Sequence, residues 1–189
     1  MAKQYSELSD KLIAFIQEQA LFFVGTADRE GRVNISPKGM NTFHILSPQR
    51  VAWLNLTGSG NETAAHVRSQ PRMTLMFCSF AEQPLILRLY GQSRVLHAND
   101  PHWESLRALF PPYTGARQVF EMNVELVQTS CGFAVPFYEL KGERQTLIHW
   151  ADKQGRDGVE QYWQQKNTVS LDGNPTGIAE LAAPNQNDR

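Results

Sequence analysis

The chain has 189 residues and a formal net charge of -1, with basic and acidic residues nearly balanced. That length suits one domain and buries a core without disulfides or a structural metal. The charge balance gives nucleic acid or an anionic membrane no electrostatic handle, so neither is expected as a partner. The two cysteines, Cys78 and Cys131, lie in apolar runs outside any CxxC pattern and read as buried, reduced thiols. The opening stretch MAKQYSELSDKLIAFIQEQ lacks the apolar centre of a signal peptide. No apolar run is long enough for a bilayer, so a cytoplasmic protein is expected.

Residues 6–19 read as an amphipathic helix, with Leu8, Leu12, Phe15 and Ile16 at helical spacing and Ser6 or Ser9 as cap. Residues 20–27 read as a buried strand and 32–36 as its hairpin partner, joined by a turn in which Gly31 takes positive φ. Pro37 ends that strand, and 41–48 is a connection. The stretch 51–77 organises the rest. An apolar strand (51–56) breaks into Thr57-Gly58-Ser59-Gly60-Asn61, a short helix runs from 62 to 69, and a second strand covers 73–77. A small-residue loop that opens a helix presents free N–H groups and the positive end of the helix dipole, which suits an anion. The alternative is a plain capped helix with Ser59 or Asn61 as N-cap.

A long strand is predicted over 84–98, with a bulge or bend at Gly91. Asp100 and Pro101 then cap and start a helix that carries Trp103 and Leu106. Another long strand covers 117–129, and two short helices cover 138–152 and 158–165. Hairpin-linked strands with few helices predict a mainly β protein with peripheral helices, built as a six-stranded antiparallel barrel. One domain over 4–180 is expected, with a core at 20–135, a helical extension at 136–170 and a polar tail at 181–189.

Polar residues cluster at strand ends. Asn34 and Ser36 share one strand face, and Lys38 follows them. Asn55, Thr57, Ser59, Asn61 and Thr63 form the second cluster. Arg88 stands alone in LILRLYG and needs a partner, whether a ligand phosphate or a glutamate such as Glu82, Glu121 or Glu125. The histidines show no metal-ligand spacing, so no metal is expected. The tryptophans are core candidates, and Trp150 has the alternative of covering a flat ligand.

The ordered segments VNISPKG, WLNLTGSGNET, HVRSQPRMTLMF and LRLYGQSRVL resemble the pyridoxamine 5′-phosphate oxidase-like family of FMN-binding split barrels. The resemblance covers roughly residues 20–96 and extends more weakly to SCGFAVP and SLDGNPTG. It implies a six-stranded split β-barrel whose homodimer holds FMN at the subunit interface. It sets Ser36 and Lys38 near the flavin ring and ribityl chain. Thr57, Ser59 and Asn61, with Thr63 beside them, lie near the phosphate, and Arg88 lies on the interface strand. Residues 130–132 or Trp150 approach from the partner. Many relatives carry Arg or Lys where this chain has Glu62, which leaves Lys38, Arg68, Arg72 and Arg88 to attract a phosphate. The expected activity is an FMN-dependent oxidoreductase acting on a small molecule. The alternatives are a non-catalytic flavin carrier or redox sensor, and a haem-handling split barrel using His97, His102 or His149.

Overall fold

The computed structural model describes residues 2–182. A short strand, β1 (Lys3–Tyr5), precedes helix α1 (Asp10–Gln17). Leu12, Phe15 and Ile16 bury one stripe of α1, and the Ser9 hydroxyl accepts from the Leu12 N–H at 3.4 Å to cap it. Strands β2 (Phe22–Thr26) and β3 (Asn34–Lys38) form the first hairpin. β3 continues through Pro37, where the sequence predicts a stop. It stands at an end of the sheet, where a residue without an N–H is tolerated.

Strands β4 (Phe43–Ser47) and β5 (Arg50–Leu56) make the second hairpin, and helix α2 (Glu62–Ser69) follows. Then come β6 (Arg72–Cys78), β7 (Leu85–Leu96), helix α3 (Trp103–Arg107), β8 (Ala116–Cys131), helix α4 (Thr146–Lys166) and a 3-10 turn at Ile178–Ala182. The ladders are antiparallel, in the order β3-β2-β6-β7-β8-β5-β4. β8 carries β7 along one edge, and β5 and then β1 along the other.

The expected six-stranded barrel is therefore corrected. The sheet has eight strands and is not closed, with β3 and β4 at its two ends. The additional strands are β1, whose residues are all exposed, and β4, whose FHILS carries no alternation of burial. Both are defined by their partners rather than by their own patterns. The bend expected at Gly91 is present as a register shift between Tyr90 and Gly91 against β8.

The core lies between the sheet and the helices. Trp53 and Phe120 are cross-strand partners on β5 and β8, stacked with centroids 4.4 Å apart. Phe22, Phe43 and Phe77 pack beside them. Glu121 is nearly buried between Arg50 and Arg94. Burial pushes its carboxyl up, but the two guanidiniums together outweigh that and hold it below the ordinary range. Cys78 is buried as expected, whereas Cys131, at the end of β8, is exposed.

Two helix readings change. The α3 helix starts at Trp103 rather than Pro101, because the Asp100 carboxylate instead accepts from the His97 N–H at 2.6 Å. The two helices expected at 138–152 and 158–165 are both present within Thr146–Lys166, separated at Gly155, whose φ of 67° leaves the helical region; the first starts at Thr146 rather than at 138. Residues 132–145 form no regular element.

After α4 the chain straps back over the N-terminal half. Leu171 N–H donates to Glu62, Asp172 pairs with Arg32, and Asn174 bonds Asp28 at 3.1 Å. Glu180 pairs with Arg68 at 2.6 Å. Among the described residues no helix is long and apolar enough to cross a membrane.

Candidate functional site

Strand alternation in β3 sends Asn34, Ser36 and Lys38 to one face, because the strand runs on to Lys38. That face meets the β5–α2 loop. Together they line a polar cavity of about 300 Å³ that also includes Ser59, Asn61 and Thr63. Asn34 joins the two clusters, donating to Thr63 Oγ1 at 3.2 Å and accepting from the Ser36 hydroxyl at 3.1 Å.

Two cations reach this cavity. Lys38 Nζ donates to Asn55 Oδ1 at 3.2 Å and lies 5.2 Å from the Trp53 ring centroid. Arg117, on β8, is buried and donates from Nη1 to Gly60 O at 3.1 Å and Asn167 Oδ1 at 2.6 Å. Neither forms an ion pair with a carboxylate among the described residues. Burial pushes the Lys38 ammonium down to about 8, with the Arg117 charge adding to the effect. Burial likewise brings Arg117 down to about 9.

Asn167, just past α4, holds the loop from behind. It is fully buried, and its Nδ2 donates to Gly58 O at 3.1 Å and Ser59 O at 3.5 Å. In a trans peptide the C=O and the next N–H point in opposite directions. With the carbonyls of 58, 59 and 60 bonded by Asn167 and Arg117, the N–H groups of Ser59, Gly60 and Asn61 face away from those partners. The N-terminus of α2 adds its dipole. Asn61 occupies the N-cap position but makes no capping bond. Its Nδ2 reaches Asn167 O at 3.3 Å, while its buried Oδ1 has no partner. The buried Nε of Arg117 also has none. An unused acceptor and an unused donor at one cavity, beside two unpaired cations, fit an anionic ligand that also carries hydrogen-bonding groups.

Other expected site residues lie elsewhere. Thr57 is buried under the loop, accepting from Trp163 Nε1 at 2.7 Å and donating to Gly115 O at 2.9 Å. Arg88 donates to Ser130 Oγ at 3.2 Å and lines a separate groove on the sheet's outward side. Trp150 packs edge-on to Tyr162 on α4. Glu62, which stands in place of a base, does line the cavity, but it turns both carboxylate oxygens to the Leu171 N–H at 3.1 and 2.9 Å. Arg117 and Asn167 were not among the residues expected at the loop. A lone arginine at the start of an apolar strand was the one sequence signal for the first, and nothing marked the second. Among the described residues no group of His, Cys, Asp and Glu gathers as a metal site.

The family model for pyridoxamine 5′-phosphate oxidase matches residues 8–131. A curated relative, the pyridoxamine 5′-phosphate oxidase family protein ustO of Aspergillus flavus, is 39% identical over 189 residues, spanning 90% of this chain and 76% of that protein. A putative pyridoxamine 5′-phosphate oxidase from Lactobacillus delbrueckii has a TM-score of 0.54 at 20% identity, covering 65% of this chain and 94% of that one. A variant of HupZ from Group A Streptococcus gives 0.53 at 17% identity, covering 65% and 98%. These two structural likenesses show the fold, and the sequence matches show the family: the chain belongs to the pyridoxamine 5′-phosphate oxidase family.

Proposed function

We propose that this protein binds FMN and acts as a flavin-dependent oxidoreductase on a small molecule, as a homodimer with the flavin at its interface. The observation that carries the reading is the unpaired cation pair, Lys38 and Arg117, set against the 57–61 loop. It supports a phosphate there, held by those two side chains and by the N–H groups of Ser59, Gly60 and Asn61. When bound, the flavin supplies hydride acceptance at its ring. The chain supplies the anion anchor, and Asn167 and Arg117 keep the loop carbonyls turned away from the negative charge.

Purified protein is expected to show flavin absorption bands and to release FMN rather than FAD on denaturation. Colourless protein that takes up no added FMN would refute the reading. Affinity should also depend on pH with a definite sign. Lys38 is cationic below about 8 and loses its charge above it. The FMN phosphate has already shed its second proton near pH 6. FMN binding measured by fluorescence quenching should therefore weaken as pH rises above about 8, by at most about tenfold per pH unit, and hold steady between about pH 6.5 and 7.5.

The homodimer is supported by the outward side of the sheet. A groove of about 590 Å³ there is lined by Phe23, Val33, Ile35 and Met76, with Val33 and Ile35 71% and 70% exposed. Light scattering at micromolar concentration should give twice the chain mass, and a stable monomer would sink the dimer.

Pyridoxine 5′-phosphate is expected to be a poor substrate. Residues 167–182, the strap beside the loop, contain no basic residue. A second phosphate without a cationic clamp forgoes charge-assisted bonds of about 1.5–3 kcal/mol each. Two such losses slow turnover by about two to four powers of ten. Steady-state oxidation by the FMN-loaded protein tests this, and efficient turnover at micromolar substrate would point to a clamp built from Arg144 or Arg156.

A further inference from the structure

The bond from Lys38 to Asn55 is the first link of a longer chain. Asn55 Nδ2 donates to Gln118 Oε1 at 3.0 Å, and Gln118 Nε2 lies 3.0 Å from His97 Nε2. Across the ring, His97 Nδ1 is 4.0 Å from the Asp100 carboxylate. Asn55, Gln118 and His97 are 2%, 0% and 6% exposed, so water has little access to the links between them.

Lys38 sets the direction of this chain. An ammonium has donors only, so it must face an amide oxygen. Asn55 then turns its NH2 to Gln118, and Gln118 turns its NH2 to His97. His97 Nε2 is left as the acceptor, with the ring proton on Nδ1, toward Asp100. The opposite direction requires both amides to flip. His97 Nε2–H would then donate, and Lys38 would have to accept, which only the neutral amine can do. Any other combination breaks a buried hydrogen bond.

We propose that Asn55, Gln118 and His97 form a two-state hydrogen-bond relay in which protonation of His97 opposes that of Lys38, because both carry charge only when one buried link of the relay is broken. His97 is thus a positioning residue for the ammonium at the anion site. The surroundings favour the state with charge on Lys38. Burial holds His97 below the ordinary histidine range; Asp100 favours its cation, Arg68 opposes it, and Glu180 and the Thr176 backbone favour it. Arg68 is itself paired with Glu180. Lys38 faces the charge of Arg117. The relay belongs to the ligand-free protein and holds whether or not the bound anion is a flavin.

NMR titration of the full chain carrying 13C-labelled lysine tests this without any ligand, with Lys38→Met assigning the signal. The Lys38 resonance should show its alkaline midpoint and a second, smaller inflection at acid pH that coincides with titration of the His97 ring. His97→Gln keeps an acceptor in place but cannot titrate. It should abolish the acid inflection and leave the alkaline midpoint unchanged. Gln118→Leu should abolish the inflection and lower the midpoint by roughly half to one unit, because the ammonium loses its oriented acceptor. If the Leu variant does not fold, the His97→Gln comparison decides alone. An inflection that survives in His97→Gln, or one absent from the unmodified protein, overturns the relay. Replacing the exposed His102 by Gln should change neither feature.

Discussion

Gly91→Ala is expected to destabilise the protein by about 3 kcal/mol or more and to leave little folded chain at 37 °C. Gly91 sits at the register shift where β7 turns past β8. A Cβ there would lie 2.9 Å from the Asn123 carbonyl carbon and closer still to its oxygen. The obstacle is backbone, and a backbone strand cannot swing aside as a side-chain tip does. β8 is also fixed on its other edge, where Asn123 is the register partner of Arg50 on β5. Relief would therefore shift three strands together. Urea unfolding monitored by tryptophan fluorescence measures the cost. An Ala variant within about 1 kcal/mol of the parent would mean that the bulge relaxes in a way the packing does not suggest.

Arg117→Met should separate binding from folding. Losing a guanidinium from the cavity is expected to weaken FMN binding by about 1.5–3 kcal/mol, roughly a ten- to hundredfold rise in Kd. The ligand-free fold should survive. Asn167 Oδ1 and Gly60 O lose a donor, which costs about 1 kcal/mol each. Removing an unpaired buried charge offsets much of that loss. Calorimetry with titrated FMN reads the affinity, and thermal unfolding without FMN reads the fold. A Met variant that keeps the parent's affinity would show that the phosphate does not use this cation. A variant that loses affinity and fold together would show that Arg117 is chiefly the loop's internal support.

Much of the sheet was legible because local pattern and final environment agree. The β5–α2–β6 unit reads directly from an apolar run, a small-residue loop and a second apolar run. Gly91 marks its own bulge because no other residue fits there. β4 was not legible. Its five residues are all partly exposed, so only pairing with β5 makes them a strand. Pro37 argued for a stop, and the sheet's end position overrode it. The site divides in the same way. Ser36, Lys38, Ser59, Asn61 and Thr63 converge because the polar face of β3 meets the β5–α2 loop, two short polar motifs each readable in the sequence. Asn167 is invisible from the sequence, since its three loop partners lie more than a hundred positions earlier. No local periodicity encodes a bond of that span.

That span also orders events during synthesis. Every strand of the sheet has been translated once Cys131 is made. The loop at 57–61, however, waits for Asn167 to hold its carbonyls and for Leu171 to take up Glu62. A nascent chain interrupted between those points holds all eight strands and an anion loop with nothing behind it, its one acidic side chain unengaged. Ligand capture thus waits until the residues just after α4 have been translated. A premature stop just before Asn167 would spare the sheet and remove the grip.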